Sequence, residues 1–259
     1  MSNILVCIKA VPASASQISM DSAHTLQREQ LGLQWNVSDE AALEAALRCK
    51  SPVSTVTVLT MGPSKLAGPL QELFGRGVDQ AILVTDPAFA GADTYATAKA
   101  LAAAIKTLGG FDLILCGRRS VDGETGQVPS MLAAALNLPC ITGVEQLEEA
   151  DGALYLRRRL ERSTVTLSVT APAVVSVCEY AYPLRLPSIA GMRRATQKQV
   201  QQLSASQLKL SPEECGLQGS LTKVIHADKK FPGLRKCTRE ADPSAGARKL
   251  LDICREVNA

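Results

Sequence analysis

The sequence predicts an α/β protein built on a doubly wound parallel sheet, with an antiparallel hairpin and an extended C-terminal arm. Three observations carry this. Short apolar runs alternate with helical segments from residue 3 to about residue 140, the rhythm of βαβ units. Between 153 and 169 the pattern changes to apolar/polar alternation, as in strands with one wet face. From Tyr180 onward the periodicity fades, and Pro183, Pro187, Pro212, Pro232 and Pro243 punctuate the chain.

Each element has a local reason. Ile4 to Ile8 is a continuous apolar run stopped near Pro12, the form of a buried parallel strand. Ser38 is the expected N-cap of a helix through Leu47, with Asp39 and Glu40 in its first turn. Val53 to Leu59 reads as the second strand, and Thr60 to Ser64 as a turn with its own cap. Leu66 to Phe74 reads as a helix closed by Gly75 and Gly77. Ala81 to Val84 is a strand. Asp93 starts a helix that runs to Leu108 and stops at Gly109-Gly110. Phe111 to Cys116 is the next strand, 118–128 a turn, and Val128 to Leu136 a helix. The segments Ala153–Arg157 and Ser163–Val169 form the expected hairpin, and Ala173 to Val177 a strand able to rejoin the sheet. Beyond Tyr180 only Ala245 to Val257 reads as a helix, with Leu250, Leu251 and Cys254 on one face. The expected division is a domain over 1–182 and an arm over 183–259. So long a stretch without a core pattern exceeds an ordinary loop.

Composition narrows the function classes. The chain has 259 residues, 46% hydrophobic and 20% charged, enough to bury a sizeable core. A net charge of +3 is no nucleic-acid signature, and 3% aromatics supply no stacking platform. The runs Arg157–Arg159 and Arg193, Arg194, Lys198 read as solvated patches. Eight cysteines without C-x-x-C spacing, and only His24 and His226, leave zinc, iron–sulfur and thioredoxin chemistry unsupported; no metal site is expected. The cysteines read as reduced residues of a cytoplasmic protein; neither an export signal nor a membrane span is visible. There is no G-x-S-x-G elbow and no His-based triad, so no catalytic residue of its own is expected.

In such a sheet, ligands bind beyond the carboxyl ends of the strands, where the strand order reverses. The informative turns are Lys9 to Pro12, Met61 to Ser64, Gly117 to Ser120, and Val121 to Gln127. The last is the most specific. Gly117 allows a sharp strand exit, Asp122-Gly123 is a turn dipeptide, and Thr125-Gly126-Gln127 leads straight into a helix. Amides at that helix start suit a phosphate, with Gly126 allowing close approach. Plain helix capping explains the same residues equally well. Neither a P-loop nor a G-x-G-x-x-G fingerprint is present.

These residues carry a family likeness. The chain resembles the beta subunit of electron transfer flavoproteins in ILVCIKAVP, WNVSDEAALEAAL, TVLTMGPSK, DTYATAKALAAAI, FDLILCGRRSVDGETGQVPSMLAAALNLP, TAPAVVSV and LRLPSIAGMRRA, in that order. The resemblance implies an adenine nucleotide α-hydrolase-like fold and a heterodimer with an alpha subunit that holds most of the FAD. It implies an electron carrier between a flavin dehydrogenase, such as an acyl-CoA dehydrogenase, and a quinone reductase or other acceptor. It places an adenine nucleotide in this subunit, AMP or a second FAD, at positions matching Cys7, Asn36, Val37, Ser38, Asp39, Met61, Gly117, Arg118, Arg119, Ser120, Val121, Asp122, Gly123, Glu124, Thr125, Gly126, Gln127 and Val128. AMP and FAD both remain open. It also implies partner docking through Leu186 and an arm that wraps the alpha subunit. The alternative is a stand-alone adenine-nucleotide sensor of the universal-stress-protein type.

Overall fold

The computed structural model describes residues 3–13, 32–150, 153–225 and 239–257. His24 and His226, both noted in the sequence, lie outside them. Two compact units are present, Met1–Ile225 and His226–Ala259.

The first unit is built on a nine-stranded sheet. Its parallel part contains β1 (Asn3–Cys7), β4 (Thr55–Met61), β5 (Gln80–Val84), β6 (Leu113–Gly117) and β10 (Ala173–Val177). It also contains the edge strand β11 (Gln201–Leu203) and the start of β7 (Cys140–Ala150). Two antiparallel strands, β8 (Ala153–Arg159) and β9 (Thr164–Val169), extend the sheet beyond β7, giving the order β11-β5-β4-β1-β6-β10-β7-β8-β9. A small antiparallel pair, β2 (Ala10–Pro12) with β3 (Leu33–Trp35), stands apart from it.

The alternation of side chains along β1 explains the double winding. Ile4 and Val6 enter a core under α1 (Val37–Cys49) and α2 (Ala67–Leu73). Leu5 and Cys7 enter the opposite core under α3 (Thr94–Leu108) and α4 (Val128–Leu136). The chain winds from β1 through β4 to β5, then crosses to β6 on the other side of β1. The order therefore reverses between β1 and β6, and a crevice opens beyond their carboxyl ends.

The expected hairpin is present as β8 and β9, and a strand the sequence did not announce, β7, joins it to the sheet by pairing with both β10 and β8. A bulge hides β7 in the sequence: Gly143 takes φ 72°, and the register slips on both sides of the strand. Other expectations are corrected. Ser38 is not the helix cap. Asn36 holds the cap position, and its side chain makes no cap bond. Pro63, not Ser64, holds the cap position of the 3-10 turn from Ser64 to Leu66. Asp93 does cap α3, accepting from the Ala96 amide at 2.9 Å.

The stretch beyond Tyr180 also carries core. It contributes β11, α5 (Ile189–Ala195) and a short α6 (Gly216–Gly219), and Leu203, Ala205, Leu208 and Cys215 are buried. Leu203 pairs with Val84 at the sheet edge. The compact unit thus reaches Ile225. The second unit holds α7 (Pro243–Val257), capped by Asp242, with Leu250, Leu251 and Ile253 exposed. Among the described residues, no helix is long and apolar enough to cross a membrane.

Candidate functional site

The crevice between β1 and β6 is closed from one side by the first turn of α1. Asp39 is buried there and bridges the two strand ends. The Lys9 amide donates to its Oδ2 at 2.8 Å, and the Gly117 amide to its Oδ1 at 3.0 Å. Burial pushes the Asp39 carboxyl up to about 7, against the Asn36 side chain and the two main-chain donors, which favour the charged form. A Cβ at position 117 would stand 2.0 Å from Asp39 Oδ1 and 2.7 Å from its main-chain nitrogen, so only glycine fits that strand exit.

The segment after Gly117 is then held by side chains from α1. Asn36 Nδ2 donates to the Arg119 carbonyl at 2.9 Å, and Ser38 Oγ to the same oxygen at 3.1 Å. The Val121 amide donates to Asn36 Oδ1 at 3.1 Å. Two residues suited to cap a helix thus satisfy a loop more than eighty residues away. Lys9 Nζ reaches across from the end of β1 to Asp122 Oδ1 at 2.6 Å and Ser120 Oγ at 3.3 Å; the Asp122 side chain is only 1% exposed.

The far end of the loop is open. Glu124 and Gly126 take left-handed backbone, φ 50° and 61°. Gly126 lies close under the Arg118 carbonyl, 3.3 Å from where a Cβ would sit. Among the described residues, no protein acceptor takes the amides of Thr125, Gly126 or Gln127. These donors precede α4 directly, where Pro129 in the first turn needs no amide partner. Beside them lies a cavity of about 620 Å³ whose wall includes Arg118, Arg119, Thr125, Ser130, Arg158 and Arg159. Its guanidinium groups are balanced at the rim, Arg119 against Glu124 and Glu179, and Arg159 against Glu145.

The expected site residues therefore gather unevenly. Asn36, Ser38, Asp39 and Gly117 to Asp122 form one bonded cluster, and Gly123 to Val128 continue from it along the chain. Val37 opens α1 half-buried. Cys7 and Met61 end neighbouring strands and pack on the core beneath α3 and α4. Thr60, just before Met61, has a buried hydroxyl without a hydrogen-bond partner among the described residues. Sequence reasoning missed Lys9 as the tether of the loop, and it read Arg158 and Arg159 as a solvated patch. The arginine run was visible, but only the pairing of β8 with β7 carries it to the cavity.

The open donors, the glycine approach and the basic cavity fit the phosphate of a nucleotide. The fold and site define the class: an open α/β architecture with a crevice at the strand reversal. The family model described as electron transfer flavoprotein domain matches residues 24–208. The electron transfer flavoprotein subunit beta of Thermoanaerobacterium thermosaccharolyticum is 40% identical over 226 residues, 86% of each chain. The caffeyl-CoA reductase-Etf complex subunit CarD of Acetobacterium woodii is 37% identical, again over 86% of each. The acryloyl-CoA reductase electron transfer subunit gamma of Anaerotignum propionicum is 31% identical over 86% of each. The chain belongs to the electron transfer flavoprotein beta subunit family.

Proposed function

We propose that this chain is the nucleotide-holding and partner-docking half of a heterodimeric electron carrier, completed by an alpha subunit that holds the redox FAD. The observation that carries this is the convergence of α1, the end of β1 and the exit of β6 on one loop whose far amides are left open. When bound, FAD supplies the one- and two-electron chemistry. This chain's own residues then have three tasks. Thr125, Gly126 and Gln127 hold the phosphate of AMP or of a second FAD through main-chain donors. Asn36, Ser38, Lys9 and Asp39 fix the loop so that those donors are pre-aligned. Leu186 presents an apolar anchor to a dehydrogenase or reductase.

The names of the relatives, which include subunits of two acyl-CoA-type reductase complexes, support donors and acceptors of that class. The exposed apolar residues Leu250, Leu251 and Ile253 of α7 support the part of the 183–259 arm reading in which α7 is covered by the alpha subunit. The stand-alone sensor reading gives way to family membership over most of the chain.

Co-expression with the alpha subunit tests the proposal. The heterodimer is expected to be yellow, and the isolated chain to carry no stoichiometric flavin. A colourless, monodisperse heterodimer would overturn it.

A further inference from the structure

Leu186 is 83% exposed and Ile189 77% exposed, yet the backbone that carries them is anchored. The anchor is Glu44, a carboxylate of α1 whose side chain is only 5% exposed. Its Oε2 accepts from the Arg185 amide at 3.1 Å and from Arg185 Nε at 2.9 Å, while its Oε1 accepts from Arg185 Nη2 at 3.0 Å. Arg48 Nε completes the shell at 3.0 Å on Oε1. The Arg185 guanidinium therefore grips the carboxylate with two nitrogens, and its own main chain adds a third donor.

The other side of the loop is fixed as well. Arg76 donates to the Arg185 carbonyl, and the Ser188 amide donates to the Gly75 carbonyl at 3.2 Å. Ser188 caps the Gly191 amide at 2.9 Å. Gly191 sits so close to the Gly75 carbonyl that a Cβ there would lie 2.2 Å from its oxygen. Leu186 is thus the free tip of a segment whose neighbours on both sides are tied to α1 and to the turn after α2.

We propose that Glu44 is a positioning residue for docking: by capturing Arg185 it holds Leu186 out from the surface in one orientation. The inference rests on the reading of Leu186 as the docking residue. A large apolar side chain that must find its pocket from a mobile loop loses affinity to ordering, and a preset loop avoids that loss. The arrangement also gives the buried acid on α1 a role. An apolar residue would fill the same space but would leave Arg185 and its amide without their acceptor.

The experiment uses the holo heterodimer and a purified acyl-CoA dehydrogenase that the wild-type complex oxidises. It compares Glu44→Gln, Arg185→Ala, the double variant and Leu186→Ala. Expected for Glu44→Gln and Arg185→Ala is a rise of about tenfold in KM for the dehydrogenase, with kcat and flavin content unchanged, and faster amide exchange over 184–188. The double variant should be no worse than the worse single one, because the two residues act as one unit. A raised KM for Leu186→Ala with none for Glu44→Gln and Arg185→Ala would overturn the positioning role and leave the docking role standing. No change with Leu186→Ala would remove the docking reading itself, and the inference with it. Loss of flavin and kcat together in both Glu44→Gln and Arg185→Ala would make the pair a fold strut instead, which also overturns the proposal.

Discussion

Asp39 fills the space that any side chain at position 117 would need. The Gly117 amide meets its Oδ1 at 3.0 Å, and the Lys9 amide meets its Oδ2 at 2.8 Å. One buried carboxyl thereby joins the ends of β1 and β6, the two strands between which the sheet reverses. The loop that leaves Gly117 starts from a fixed point, and its open amides inherit that precision.

Gly117→Ala should accordingly damage both stability and nucleotide retention. The added methyl would meet the Asp39 main-chain nitrogen and Asp39 Oδ1, a buried side-chain tip held in place by the amides of Gly117 and Lys9. Destabilisation of about 3 kcal/mol is expected, at the upper end of overpacking effects. Denaturant unfolding of the heterodimer measures it, and a change below about 0.5 kcal/mol would contradict the close approach.

The Asp39 carboxyl sets a pH dependence of defined sign. Its ordinary value is 3.8 and burial raises it to about 7, so the folded protein binds the proton more tightly than the unfolded chain does. Its contribution to stability is complete below about 3.8 and is lost as pH rises through about 7. Unfolding measured between pH 5 and 8 in wild type and Asp39→Asn should show a downward slope in the wild type that the variant lacks. Parallel curves would count against a protonated Asp39.

Lys9→Met tests the tether of the loop. Its Nζ lies 2.6 Å from an Asp122 carboxylate that is almost wholly buried. Removing the cation is expected to destabilise by about 1–2 kcal/mol, tempered by the partial exposure of Lys9. Adenine-nucleotide affinity should fall with it, because residues 120–127 lose their link to β1. Isothermal titration with AMP measures this; unchanged affinity would detach Lys9 from the site.

Gly126→Ala addresses the phosphate approach. The residue takes φ 61°, where a Cβ is strained by about 1 kcal/mol. The same Cβ would crowd the Arg118 carbonyl. Nucleotide affinity is expected to drop about tenfold, roughly 1.4 kcal/mol, while the fold survives. Retention of wild-type affinity would move the phosphate away from this loop.

Local chemistry decided which parts of this structure were legible beforehand. The helix from Val128 to Leu136 was readable because Pro129 marks its start and Asn137 takes the left-handed position at its end. Asp93 announced α3 in the same way. The strand β7 was not readable, because the Gly143 bulge breaks the alternation on which strand reading depends. β11 has three residues, of which only Leu203 is buried, too few for any periodicity. In the site, the glycines and the turn 117–127 stood out, since their backbone demands are local. The loop-holding roles of Asn36 and Ser38 did not, because their partners lie across the fold and the residues themselves look like helix caps. Arg158 and Arg159 joined the cavity through long-range strand pairing.

An adenylate phosphate is expected to rest on the amides of Thr125 to Gln127. The most direct measurement is to purify the heterodimer, extract its nucleotides and count adenylate against flavin. One adenine nucleotide beyond the redox FAD is predicted, as AMP or as a second FAD, and it should be depleted in Gly126→Ala. A complex that carries the redox FAD and no further nucleotide would contradict the claim.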